Sequence, residues 1–175
     1  VSVNATPAPP IAAPRPTVPA ADVISLFSDA YVDSAVETWA ATWSGASHDV
    51  ADIKIAGDNT KVYTNLNWAG IVLAHPIDIS EMTYFHMDVW VAEGMGFKVK
   101  LVDFGADGVY GGAPDVEHEL TFTATTTPPF FAGSWVDLEI PMADFVRLTT
   151  REHLAQIIIT AQRNTVFIDN VYWHK

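Results

Sequence analysis

The residues best placed to do chemistry are aromatic side chains set among hydrogen-bonding ones at alternate positions. In an extended run over 84–92, Tyr84, His86, Asp88 and Trp90 point one way, and Phe85, Met87, Val89 and Val91 the other. Over 97–104, Lys98 and Lys100 oppose Phe97, Val99 and Leu101, and over 134–140, Trp135, Asp137 and Glu139 oppose Val136, Leu138 and Ile140. The apolar sets demand a core. A face that mixes Trp and Tyr with Asp, His, Lys and Glu suits a sugar. Pyranose rings stack their C–H faces on aromatic rings, and their hydroxyls need fixed polar partners. The competing explanation for each Trp is packing under a loop or against a second layer. Trp39 and Trp43, four apart, would share the face of a helical turn, there to flank a groove or to plug one end of the fold. Trp68, in Asn65-Leu66-Asn67-Trp68, has amide neighbours suited to hydroxyl recognition, or is the core Trp of a central strand. The expected carbohydrate-binding set is Trp39, Trp43, Trp68, Tyr84, His86, Asp88, Trp90, Lys100 and Trp135.

Two acidic clusters could hold a cation. Asp103, Asp107 and Gly108 occupy positions 1, 5 and 6 of a calcium loop, but Gly105 falls at position 3 and Pro114 at position 12, where an EF-hand needs a bidentate Glu. Asp103 and Asp107 would therefore need Asp115 or Glu117 and backbone carbonyls to complete a site; a solvated acidic turn is the alternative. The second cluster pairs Ser28 and Asp29, after the first apolar run, with Asp169 in the last one. Alternation places Asp169 with Phe167 and Val171, and a carboxylate on an apolar side needs a cation or backbone amides. The six histidines, His48, His75, His86, His118, His153 and His174, form no HExxH spacing. The chain has no cysteine, so disulfides, thiolate metal sites and cysteine nucleophiles are excluded. There is no GxSxG elbow, phosphate loop or dinucleotide fingerprint. With 21 acidic residues in the chain, choosing two as a glycosidase pair carries little information; Glu117 and Glu119, on one strand face, are the best available. The expectation is a non-catalytic protein.

The elements that must position these residues read as strands. Runs at 23–27, 50–56, 66–73, 84–92, 97–104, 117–124, 134–140, 155–161 and 166–173 are rich in Val, Ile, Phe, Tyr, Trp and Thr and are separated by Gly, Pro, Asn and Asp turns. No amphipathic helix of ordinary length lies between them, although short helical turns are expected at 35–41, 142–145 and 150–153. The pattern predicts an all-β chain folded as an antiparallel sandwich. Residues 1–20 differ: they hold six of the eleven prolines, no acidic residue and one basic residue, Arg15. That composition favours extended polyproline II, so 1–20 is read as a linker and 21–175 as the module. The chain of 175 residues suffices for one domain. Its net charge of −12 argues against nucleic acid and anionic membranes and suits neutral ligands or divalent cations. No apolar run approaches the ~20 residues of a membrane span, and the first residues show no signal-peptide pattern.

Four strings carry a resemblance: Asp22-Val-Ile-Ser-Leu-Phe-Ser-Asp-Ala-Tyr31, Thr38-Trp39 followed by Trp43, Tyr63-Thr-Asn-Leu66, and Val166-Phe-Ile-Asp-Asn-Val-Tyr172. Over about 22–175 the chain resembles a non-catalytic β-sandwich module appended to secreted polysaccharide-degrading enzymes of marine bacteria. These include family 3 exo-β-glucosidases and family 16 β-1,3-glucanases. The resemblance implies a galactose-binding-like jelly roll. It also implies a structural Ca2+ served by Ser28, Asp29 and Asp169, and a secreted or cell-surface location. The implied role is to hold a covalently linked catalytic domain near a β-glucan such as laminarin. The alternative is a structural or dimerisation domain that packs on its own catalytic domain without binding glycan.

Overall fold

The computed structural model describes residues 7–45 and 49–175; His48 lies outside the described residues. Among the described residues nine strands form: β1 (Val23–Phe27), β2 (Val36–Thr38), β3 (Asp49–Ile55), β4 (Asp58–Ile77), β5 (Tyr84–Val91), β6 (Gly96–Asp103), β7 (Val116–Thr123), β8 (Val136–Pro141) and β9 (Leu154–His174). Every paired strand runs antiparallel to its neighbour. The sheet is continuous but folds over on itself, because β4 and β9 are long enough to serve both layers. One layer has the order β8-β5-β9-β4-β3, with β1 alongside the end of β9; the other has the order β2-β4-β9-β6-β7. The crossing falls at Asn65 and Arg163, both in the left-handed region (φ 51° and 57°), and the β4–β9 register slips between Tyr63 and Leu66. Such bends let one strand turn the corner of a sandwich.

The expected antiparallel sandwich is what forms, with local differences. The runs 155–161 and 166–173 are one strand, since Arg163 kinks the backbone without ending the pairing. The run 66–73 belongs to the longer β4, and the turn lies earlier, at Ala56 and Gly57, whose positive φ angles (51° and 90°) suit a two-residue hairpin between β3 and β4. The helical turn expected at 35–41 is instead the short edge strand β2 and a turn, and 150–153 is irregular. Residues 142–144 do form a 3-10 turn.

The core follows the alternation. Phe85, Met87 and Val89 of β5, Phe97, Val99 and Leu101 of β6, and Leu138 and Ile140 of β8 are buried, and meet Ile157, Ile159, Val166 and Ile168 of β9. Each such side chain contributes about 1.5–3 kcal/mol by leaving water. In β9 the alternation breaks at Asn170 (φ 49°), where the register with β5 slips between His86 and Asp88. Asp169 therefore shares its side with Phe167 but not with Val171, which joins the core with Trp173. Strict period-two reading over 166–173 misplaced Val171, because a bulge inserts one residue and reverses every side chain after it.

Residues 7–19 lie against the outside of the β8-β5-β9 layer. Trp135 Nε1 donates to the Ile11 carbonyl (2.8 Å), Asn170 Nδ2 to the Pro14 carbonyl (3.0 Å) and Tyr31 Oη to the Val18 carbonyl (2.8 Å). Pro9 and Ala13 are buried there. Among the described residues no helix is long and apolar enough to cross a membrane.

Candidate functional site

The outer face of the β2-β4-β9-β6-β7 layer carries an open aromatic groove. Leu66, Ala69 and Ile71 of β4 turn into the core, which leaves Trp68 on the outside. Gly70 has no side chain, and the Trp43 indole occupies the space: a Cβ there would lie 2.0 Å from Trp43 Cη2. Gly45 gives Trp68 the same freedom, since a Cβ there would lie 2.5 Å from Trp68 Nε1. The two indoles stack with centroids 5.9 Å apart and planes at 28°. They wall a groove of about 560 Å³ completed by Lys100, Tyr110, Glu117, Gln156 and Ile158. Trp43 keeps 44% of its surface exposed. Lys100 Nζ stands 3.5 Å from Glu117 Oε1, and one step along the hairpin Lys98 pairs with Glu119 at 3.3 Å. An apolar platform beside an ammonium, a carboxylate and an amide can stack a sugar ring and hold its hydroxyls.

The other expected sugar residues lie elsewhere. Tyr84, His86, Asp88 and Trp90 share the outer face of the opposite layer, in register with His174, Tyr172, Asp169 and Phe167. His86 stacks on Tyr172 (4.5 Å) and Tyr84 on His174 (5.1 Å), while Trp90 meets Phe167 edge-on (5.5 Å). His86, Asp88 and Trp90 are buried, and residues 14–18 lie over His86, Asp88 and Tyr172. Trp135 is engaged by Ile11. Trp39 packs edge-on against Phe27, and Lys61 Nζ sits 4.5 Å from both rings. The structure thus brings Trp43, Trp68 and Lys100 together and separates them from the other six. Tyr110, Gln156 and Ile158 were not singled out by the sequence; Glu117 was, but as an acid. The one signal in the sequence was the outward Lys98 and Lys100 of β6 next to the outward Glu117 and Glu119 of β7; Lys100 is the register partner of Glu119 and reaches Glu117 diagonally.

The acidic clusters also separate. Asp103 accepts hydrogen bonds from Gly105 N (2.8 Å), Thr150 Oγ1 (3.1 Å) and His153 N (2.8 Å), so its oxygens tie two loops together. Asp107 accepts from Val109 N in an exposed turn. Ser28 Oγ donates to Asn170 Oδ1 (2.8 Å) and accepts from Ala30 N. Asp29 accepts from Asn59 N and Nδ2, and these bonds hold its carboxyl below the usual range. Burial raises the Asp58 carboxyl above the usual range, and it interacts with both Asp29 and Asp169. Burial pushes Asp169 up to about 8; the Asn170 N–H opposes this, and the charges of Asp58 and Asp88 add to it. Asp169 Oδ2 is buried without a hydrogen-bond partner. An orphaned buried carboxylate oxygen beside the Asp58 carboxylate is a donor pair that a hard cation accepts. Separately, His86, Asp88 and Asp137 bring one ligand atom each within 4.8 Å of one another. Burial would lower the His86 pKa, but hydrogen bonds to Asp88 and Glu139 and the charges of Asp88 and Asp137 outweigh it and raise the imidazole to about 9.

No protein-family model and no curated protein matches the chain. Solved structures do. The family 30 carbohydrate-binding module of a cellulosomal cellulase of Clostridium thermocellum aligns over 87% of this chain and 97% of its own, at 17% identity and a TM-score of 0.63. The family 11 carbohydrate-binding module of another cellulosomal cellulase of that organism aligns over 87% and 94%, at 16% identity and a TM-score of 0.55. A module described as specific for non-crystalline cellulose aligns over 81% and 95%, at 13% identity and a TM-score of 0.50. The chain has the β-sandwich fold of carbohydrate-binding modules.

Proposed function

We propose that this chain is a non-catalytic carbohydrate-binding module that lays a neutral β-glucan along the Trp43–Trp68 groove and so holds an attached glycoside hydrolase to its polysaccharide. The observation that carries the reading is the stacked indole pair, held flat by Gly45 and Gly70 in an open groove with Lys100, Glu117 and Gln156 at its sides. The fold supports it, as does a net charge of −12, which disfavours anionic polymers. β-1,3-Glucan of the laminarin type is the expected ligand, following the marine-enzyme resemblance. On this reading the Pro/Ala-rich composition of residues 1–20 is that of a linker whose residues 7–19 dock on the module, and a polysaccharide ligand implies a location outside the cell or at its surface.

The test is native affinity electrophoresis of the whole chain against laminarin, mixed-linkage glucan, xylan, mannan and alginate. Retardation by laminarin, with a Kd of about 10–100 μM, is expected for so open a groove. Trp68→Ala should abolish it while the melting curve stays cooperative. No retardation by any glycan would leave a packing or dimerisation domain instead.

Calcium belongs to the same reading. Asp58 and Asp169 would hold the ion, with Asp29 adding negative charge beside Asp58, and the ion would supply the positive charge that the buried Asp169 lacks. Ser28 serves through Asn170 and not as a ligand. A cation bound only by the folded state raises its stability by mass action, so chelation should lower the melting temperature.

A further inference from the structure

The geometry points to a second cation site, for a divalent transition metal such as zinc, formed by His86, Asp88 and Asp137 on the outer face of β5 and β8. His86 and Asp88 alternate on β5, and Asp137 is the cross-strand partner of Asp88, so the pleat aims all three the same way. One ligand atom of each residue lies within 4.8 Å of the other two; His86 Nε2 stands 3.4 Å from Asp88 Oδ2, while Asp137 Oδ1 lies 3.3 Å from Nδ1 and its exposed carboxylate must turn to share an ion held on Nε2. Ligands around a tetrahedral zinc with bonds of about 2.0–2.1 Å lie roughly 3.3 Å apart, close to the separation of His86 Nε2 from Asp88 Oδ2. One imidazole and two carboxylates are a donor set that zinc accepts.

The surrounding groups orient these ligands as a metal site requires. His86 Nδ1 is 2.7 Å from Glu139 Oε2, which fixes the ring and leaves Nε2 facing Asp88. Glu139 is held in turn by His174 Nε2. Asp88 Oδ2 accepts a hydrogen bond from Asn170 Nδ2 at 2.8 Å. His86 and Asp88 are 7% and 2% exposed, so two donors are fixed in the sheet, while Asp137 opens to solvent and gives an ion its way in. A cavity of about 250 Å³, bounded by the triad, Glu139, Tyr172 and residues 14–18, leaves room for a water as the remaining ligand. The site is distinct from that of Asp58 and Asp169, whose donors are all oxygen and suit calcium.

The experiment is calorimetric titration of the whole chain with zinc, in saturating calcium so that the all-oxygen site is filled. One equivalent should bind. Asp137→Asn, at an exposed position that leaves the fold intact, should weaken zinc at least tenfold. Glu139→Gln should weaken it about 10–100-fold through loss of ring orientation, and His86→Gln should abolish it. Asp29→Asn should leave zinc affinity unchanged. Absence of saturable binding would overturn the proposal. So would zinc affinity unaltered in both Asp137→Asn and His86→Gln, since the ion would then sit at another histidine.

Discussion

At the residue scale, two glycines decide where the indoles lie. Trp43 rests on Gly70 because any side chain there would occupy the ring's place. Gly70→Ala should push Trp43 off the sheet and weaken glucan binding about 3–10-fold, the worth of one aromatic contact. Calorimetry with laminarin reads this directly, and an unchanged affinity would remove Trp43 from the site. Trp39 supplies the contrast. It covers Lys61 together with Phe27, and its carbonyl accepts from Tyr63 Oη at 2.6 Å. Trp39→Ala should cost about 2–3 kcal/mol in denaturant unfolding, less than a fully buried Trp, and leave glucan affinity unaltered.

At the element scale, the bulge in β9 joins the sandwich to the proline-rich segment. Asn170 takes a left-handed backbone there, accepts from Ser28 Oγ, and donates to Asp88 and to the Pro14 carbonyl. Both Asn170→Ala and Asn170→Gly lose these bonds, but only Ala adds backbone strain, about 1 kcal/mol. Urea unfolding should rank wild type above Asn170→Gly and Asn170→Gly above Asn170→Ala; equal stabilities for the two variants would argue against strain at this position. The segment itself is held by carbonyls at Ile11, Pro14 and Val18. Trp135→Ala should speed amide hydrogen exchange around Ile11 and Ala12 while the core amides of β5 stay protected.

At the scale of the whole molecule, stability should depend on pH in a direction set by its buried groups. Asp169 rises from 3.8 to about 8, and His86 from 6.5 to about 9. Both bind protons more tightly when folded. Their contributions are fully present below the unfolded values and are lost as pH rises through the folded ones. Without metals, the melting temperature should therefore fall between pH 5 and pH 9. Calcium at Asp58 and Asp169 replaces the Asp169 proton, so the stabilisation it confers should be larger at pH 8 than at pH 5. Melting curves in EDTA and in calcium at the two pH values decide this; equal calcium shifts would separate the ion from Asp169.

Alternation by itself determined the sandwich and most of its core, because a residue's side of a strand is a local property of the backbone. Phe85, Met87 and Val89, and Val99 and Leu101, lie inward as their spacing requires. The absence of thiol and nucleophile motifs was equally local, as was the acidic balance that favours neutral sugars. Only the tertiary structure decided which outward faces belong together. Tyr84, His86, Asp88 and Trp90 have a sugar site's composition, but His86 and Asp88 sit beneath the proline-rich segment, while Tyr84 stacks on His174 and Trp90 packs on Phe167. Trp43, Trp68, Lys100, Tyr110, Glu117 and Gln156, scattered over more than a hundred positions, meet in one groove. Asp58 joined Asp29 and Asp169 in the same way. The physical reason is that sheet pairing links distant segments. The bends at Asn65 and Arg163 and the bulge at Asn170 then set which layer and which side each face adopts, and no local spacing encodes these.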